Sequence, residues 1–162
     1  AASDVYKRQS EAMLKHLPNE VGIISSHPMF GPDSFDSKTR LKMMIYKTRV
    51  DEKIFNYWKT FFKNQNINII EMSPDEHDKI AARTQGITHL LGRTLKNFGI
   101  QKTSIDTKGY RDLIDLVEQT CNDTWALYSD LQLYNPYTNT MLEDLKYSLN
   151  QIEDKLKEKN NE

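Results

Sequence analysis

The sequence predicts an α+β fold, in which a small strand-containing layer is followed by helices only. In residues 1–73, short apolar runs alternate with turns and with one amphipathic segment, which is the pattern of an α/β layer. From Ser73 onward, apolar residues recur at spacings of three and four, and no strand pattern is left. We therefore expect two parts, 1–73 and 74–162.

Three strands and one helix are predicted in the first part. The runs at 21–25, 41–46 and 67–72 are short, apolar and bounded by turn residues. Between the last two runs, residues 51–64 carry apolar side chains at helical spacing, which indicates an amphipathic helix. Its aromatic-rich face would consist of Ile54, Trp58, Phe61 and Phe62.

Four helices are predicted in the second part. Ser73, Pro74 and Glu76 form a strong helix start, because serine caps, proline suits the first helical position and glutamate completes a capping box. Gly99 is a natural C-cap, so this helix is expected to end at Phe98. The remaining helices are expected at about 107–121, 123–134 and 137–157.

Composition and charge exclude several classes of protein. The 162 residues include 22 Lys+Arg and 23 Asp+Glu, which argues against binding to nucleic acid or to a membrane surface through bulk positive charge. No apolar run approaches the ~18 residues of a membrane span. The single Cys121 excludes an intrachain disulfide framework and a cysteine-based zinc site, so a reducing compartment fits best. The six glycines include no GxGxxG or GxxxxGK[ST] turn.

One polar stripe on the long helix is a candidate site. At 100° per residue, Gln85 and His89 each lie about 20° from Asp78. Small residues beside the stripe would leave room for a ligand, namely Ala81, Ala82 and Gly86. A buried stripe of this kind needs either polar partners or a ligand. A hydrogen-bonded seam between helices and a binding site both remain open.

The other candidate residues precede this stripe. His27 is expected just after the first strand, at the edge where α/β folds bind ligands, with Pro28 and Gly31 shaping its loop. The alternative is an ordinary surface histidine. The adjacent His77 and Asp78 are typical of metal-dependent phosphohydrolases, but the other ligands of such a site are missing, so no metal is predicted.

Two ordered motifs resemble signatures of the prephenate and arogenate dehydrogenases. Residues 26–32 (SHPMFGP) resemble the HP[MI]xG segment of that family. Residues 72–78 (MSPDEHD) and 85–89 (QGITH), followed by Leu91-Gly92-Arg93, resemble its next signature. Further segments near 109–135 are similar to the plant-type branch, and the resemblance extends from about residue 10 to 149.

The resemblance implies an oxidoreductase of tyrosine biosynthesis that decarboxylates arogenate or prephenate oxidatively with NADP or NAD. His27 matches the catalytic histidine, which hydrogen-bonds the ring hydroxyl as hydride departs. His89 matches a substrate-binding histidine, and Asp78 matches an acidic residue that supports the pocket. Gln85 and Arg93 are further candidates for contacting the substrate. Pro28 and Gly31 would lie near the nicotinamide.

The resemblance also sets expectations for the two parts of the chain. Residues 1–73 would be the C-terminal portion of a dinucleotide-binding domain, and 74–162 a helical domain that binds substrate and forms a homodimer. The family's Ser-x-Lys segment upstream of the histidine motif is not present, since Tyr6 and Arg8 stand at its two positions. Residues 1–9 are similar to a non-native leader.

Because the glycine-rich turn is missing, we expect little activity from this chain alone. The cytoplasm, or the plastid of a plant-like host, is the expected location. The alternative function is a non-catalytic helical dimerisation module with a vestigial pocket.

Overall fold

The structure, a computed structural model, describes residues 6–30 and 41–160. The chain forms two compact units, which are divided between Ile80 and Ala81. Most of the helix that begins at Pro74 therefore belongs to the first unit, whereas the sequence predicts a domain boundary at 73/74.

The first unit contains a mixed sheet whose described strands lie in the order β1-β2-β3. Its elements are α1 (Tyr6–His16), β1 (Ile23–Pro28), β2 (Lys42–Arg49), α2 (Glu52–Asn64), β3 (Asn68–Glu71) and α3 (Pro74–Ala81). Strands β2 and β3 are parallel and joined through α2, which confirms the predicted α/β layer, while β1 is antiparallel to β2. Helix α1 has no counterpart among the predicted elements.

A chain of hydroxyl groups joins α1 to the sheet. Ser10 Oγ donates to the carbonyl of Tyr6 at 2.9 Å and lies 2.7 Å from Ser25 Oγ. Ser25 Oγ lies 2.5 Å from Thr48 Oγ1 on β2. Ser10 and Ser25 are buried, so these bonds satisfy groups that would otherwise be costly in the core. They place α1 against β1 in a definite register.

Helix α2 begins where its capping residue predicts, but its aromatic face is open. Asp51 Oδ1 accepts the N–H of Lys53 at 2.7 Å. Within α2, the side chain that is buried is that of Phe55. The rings of Trp58 and Phe62 stack at 5.8 Å, yet Trp58 remains 40% exposed.

The second unit is helical throughout its described residues. A π-helical turn, Ala82–Gly86, is followed by α4 (Ile87–Phe98), α5 (Lys108–Cys121), α6 (Trp125–Tyr134) and α7 (Thr138–Asn160). Gly99 ends α4 at φ 88°, in the left-handed region that favours glycine, as predicted. Thr107 and Thr124 cap α5 and α6 through their side chains. In the described part of the chain, no helix is long and apolar enough to cross a membrane.

The π-helical turn changes the predicted polar stripe. The alignment of Asp78 with Gln85 and His89 assumed a regular α-helix, whereas residues 82–86 follow i to i+5 geometry and shift the phase of all later residues. The expected room for a ligand beside Gly86 is also reduced. The carbonyl of Gly86 accepts Gln132 Nε2 at 2.9 Å, and a Cβ built at Gly86 would lie 3.8 Å from Met141 Cε.

Candidate active site

His27 lies inside β1 and not in the loop after it. It is the residue before the last in the strand, pairs with Met44 of β2 and is 3% exposed. The alternative of an exposed surface histidine is therefore wrong. Pro28 ends the strand, and Gly31 lies outside the described residues, so its predicted place near the nicotinamide stays a prediction.

Two neighbouring residues on α3 extend a hydrogen-bonded chain from His27. His27 Nδ1 lies 2.9 Å from His77 Nε2, and His77 Nδ1 lies 2.8 Å from Asp78 Oδ1. The two imidazole rings meet edge to face, with an interplanar angle of 70° and centroids 5.0 Å apart. All three side chains are buried. The structure thus brings the predicted catalytic histidine into a His–His–Asp arrangement.

The series of hydrogen bonds from His27 ends at the first turn of α1. The backbone N–H groups of Tyr6 and Lys7 donate to Asp78 Oδ1 and Oδ2, both at 3.0 Å. Unpaired N–H groups at a helix N-terminus favour a carboxylate, both as acceptor and through the helix dipole. Asp78 therefore caps α1 from 72 positions away in sequence.

Tyr6 closes one side of this arrangement. Its ring lies 5.0 Å from the ring of His77, and the residue is 2% exposed. Its hydroxyl has no hydrogen-bond partner among the described residues. Burial, and secondarily the charge of Asp78, raise the pKa of this phenol well above its usual value of 10.0. The phenol therefore stays protonated beside His77.

His89 lies in the second unit, beside a carboxylate that the sequence did not single out as a site residue. His89 Nδ1 lies 3.5 Å from Asp123 Oδ2, just beyond hydrogen-bond distance. Gln85 Oε1 is buried and forms no hydrogen bond within the described residues. His89 Nδ1 and Gln85 Oε1 are therefore both buried without a hydrogen bond inside the described part of the chain.

Arg93 holds the turn between α5 and α6. Its Nη2 donates to the carbonyl of Asp123 at 2.6 Å and more weakly to that of Thr124 at 3.4 Å. The guanidinium lies 4.8 Å from the ring centre of Tyr128 and 5.5 Å from that of Trp125. These contacts give Arg93 a structural role, and its predicted contact with substrate stays a prediction.

Arg93→Lys is expected to destabilise the second unit by about 1–2 kcal/mol, since an ammonium lacks the planar fork that bonds and stacks at once. Urea unfolding of a Trp58→Phe background, followed by Trp125 fluorescence, measures the effect. Arg83→Lys is the matched control, because Arg83 forms an exposed ion pair with Asp144 that should contribute no more than ~1 kcal/mol. Equal losses for the two variants would contradict the role given to Arg93.

No metal centre is formed by the described residues, in which no three His, Cys, Asp or Glu side chains are grouped to hold an ion. The His77–Asp78 pair is instead part of the hydrogen-bonded chain from His27. Sequence reasoning noticed this pair as a metal motif but missed its link to His27. It also missed Asp123, which was expected to begin a helix and instead lies between α5 and α6.

The chain is similar to one described domain family and to known arogenate dehydrogenases. Residues 94–162 match the family described as "TYRAAT1-like, C-terminal domain". Arogenate dehydrogenase 2, chloroplastic, of Arabidopsis thaliana is 36% identical over 149 residues, which are 88% of this chain and 42% of that protein. Arogenate dehydrogenase 1, chloroplastic, of the same plant is 37% identical over 81% of this chain and 22% of that protein.

Solved structures show the same fold. The crystal structure of Synechocystis arogenate dehydrogenase has a TM-score of 0.72 and 16% identity, covering 98% of this chain and 61% of that one. Prephenate dehydrogenase from A. aeolicus, in complex with hydroxyphenyl propionate and NAD+, has a TM-score of 0.65 and 17% identity, covering 86% of this chain and 53% of that one. The chain thus spans less than half the length of the two plant relatives.

Proposed function

We propose that the chain belongs to the family of arogenate and prephenate dehydrogenases and takes part in the oxidative decarboxylation of arogenate or prephenate with NADP or NAD. The observation that carries the proposal is the buried His27, which His77 holds through a 2.9 Å hydrogen bond between the two rings. An imidazole held in this way presents one nitrogen in a fixed direction.

His27 is the proposed catalytic residue. We assign to it the hydrogen bond from the ring hydroxyl of the substrate, which polarises that hydroxyl as hydride leaves the same carbon. Loss of carbon dioxide then yields an aromatic ring. Assistance of this kind contributes roughly 10²–10⁴-fold to the rate. NAD(P), when bound, accepts the hydride. No residue of this chain is assigned to its pyrophosphate, because the sequence contains no GxGxxG turn.

His89 and Gln85 are the proposed substrate-binding residues of the second unit. The support for this assignment is that His89 Nδ1 and Gln85 Oε1 are buried without a hydrogen bond inside the described chain. Arg93 is a weaker candidate, since its guanidinium already bonds the Asp123 carbonyl. For Asp78, the three hydrogen bonds to α1 and His77 favour a supporting role and not direct contact with substrate.

Calorimetric titration with arogenate, prephenate and tyrosine tests the binding proposal. The chain is expected to bind at least one of them, and His89→Ala is expected to weaken that binding about 10- to 100-fold, the value of a charged hydrogen bond of ~1.5–3 kcal/mol. His16→Ala is the matched control, because His16 is an exposed histidine at the end of α1. Absence of binding, or equal binding by His89→Ala, would overturn the assignment.

A non-catalytic dimerisation module is the second candidate. Helix α7 carries Leu149, Ile152 and Leu156 at helical spacing, and they are 65%, 58% and 61% exposed. Such a stripe fits the homodimer expected of the family. Analytical ultracentrifugation that finds a dimer, together with calorimetry that finds no substrate binding, would favour this candidate over the enzyme.

A plastid location is proposed for this chain if its host is plant-like, and a cytoplasmic one otherwise. The support is that the two Arabidopsis relatives are named chloroplastic. A fluorescent fusion of the full-length gene product would decide between the two compartments.

A further inference from the structure

If both imidazole rings are neutral, only one placement of their protons allows all the hydrogen bonds from α1 through Asp78 and His77 to His27. The oxygens of Asp78 accept from the backbone N–H groups of Tyr6 and Lys7 and from the ring of His77. A carboxylate can only accept, so the proton of the His77 ring lies on Nδ1. In a neutral imidazole the other nitrogen, Nε2, is then an acceptor.

The proton position on His77 also determines the one on His27. Because His77 Nε2 accepts, the 2.9 Å bond between the rings requires a proton on His27 Nδ1. His27 Nε2 then carries a lone pair, which is the form required of a residue that accepts a hydrogen bond from a hydroxyl. We propose that His77 and Asp78 are positioning residues that hold His27 as its Nδ1–H tautomer. Only the catalytic consequence of this proposal rests on the proposed function.

The surroundings of His77 make it suitable for positioning. Its ring contacts two others, with centroids 5.0 Å from that of Tyr6 and 5.0 Å from that of His27. It is 3% exposed, and Asp78 is held by the start of α1. A ring that is buried and bonded at both nitrogens cannot flip without breaking two hydrogen bonds. The tautomer of His27 is thereby tied to the folded first unit.

Nitrogen-15 spectra of the histidine-labelled chain test the proposal directly. Two-bond proton–nitrogen correlations distinguish Nδ1–H, Nε2–H and doubly protonated rings. We expect His27 and His77 each to show the Nδ1–H pattern, and the exposed His16 to show rapid exchange between tautomers. A wild-type spectrum in which His27 is Nε2–H, or in which His77 carries both protons, would overturn the proposal.

Two substitutions at position 77 separate positioning from packing. His77→Phe keeps an aromatic ring in contact with Tyr6 and His27 but removes the acceptor, so the Nδ1–H pattern of His27 should be lost. His77→Gln offers an amide oxygen near the former Nε2, and it should restore that pattern. An unchanged His27 spectrum in His77→Phe would contradict the proposal. If His77→Phe does not fold, the wild-type spectrum alone still decides.

The spectra test the positioning proposal and the titrations test the proposed function, so either proposal can be overturned without the other. An Nδ1–H His27 in a chain that binds neither arogenate nor prephenate would leave the positioning proposal standing and overturn the proposed function. Binding that depends on His89, together with an Nε2–H His27, would do the reverse. Neither measurement requires a bound cofactor.

Discussion

Asp78→Ala is expected to lower the free energy of unfolding of the first unit by about 3–5 kcal/mol, because it leaves several buried donors without an acceptor. Three N–H donors lose their acceptor, namely the backbone groups of Tyr6 and Lys7 and the ring of His77. Each buried donor left unpaired costs roughly 1–3 kcal/mol. Urea unfolding in a Trp125→Phe background, followed by Trp58 fluorescence, reports on this unit alone.

Asp75→Ala is the matched control for that measurement. Asp75 lies three positions earlier on α3, where it forms an exposed ion pair with Lys7 at 2.6 Å. Such pairs contribute about 0–1 kcal/mol. Asp78→Asn should fall between the two, since an amide keeps one accepting oxygen but turns its NH₂ toward another donor. If Asp75→Ala and Asp78→Ala were equally stable, Asp78 would have no special part in holding α1.

Gly92→Ala is expected to destabilise the second unit by about 1–3 kcal/mol or more, the usual cost of overpacking a core. A Cβ at this position would lie 1.9 Å from Thr120 Oγ1 and 3.0 Å from Thr120 Cβ. Thr120 cannot easily turn away, because it is β-branched and its hydroxyl donates to the carbonyl of Leu116 at 2.8 Å. Helices α4 and α5 would have to separate. Trp125 fluorescence during urea unfolding, in a Trp58→Phe background, measures the loss.

Gly109→Ala is the control for this prediction. A Cβ at Gly109 meets no described atom within 4 Å, so alanine there should stabilise α5 by about 0.5–1 kcal/mol through its better helix propensity. The double variant Gly92→Ala with Thr120→Ala should recover part of the loss, because the clashing oxygen is gone. Gly92→Ala as stable as Gly109→Ala would show that the two helices are not in close contact there.

The elements were predictable where their signals are local. Ser73 Oγ accepts the N–H of Glu76 at 3.2 Å, as the capping motif predicts, and Gly99 ends α4. Both signals depend on residues within one helical turn of each other. Helix α1 was missed because its first residues resemble a leader, and its capping acceptor, Asp78, lies on a distant helix.

The sequence proposed individual site residues but did not predict the hydrogen bonds that connect them. The motifs around His27 and His89 indicated two functional histidines, and the structure places one in each unit. Helix geometry grouped Asp78 with His89, whereas the observed hydrogen bonds of Asp78 join α1 and His77. The grouping depended on a regular helix, which the π-helical turn interrupts.

The sequence by itself determined the α/β layer, the helices after it and the resemblance of its motifs to a family, because these depend on periodicity, capping residues and short motifs. Only the tertiary structure decided that His27, His77 and Asp78 form one chain ending on backbone N–H groups of α1. Those contacts join residues 50 and 72 positions apart. No local sequence pattern indicates which distant N–H group will donate to a carboxylate, since that pairing forms only when helix and sheet pack together.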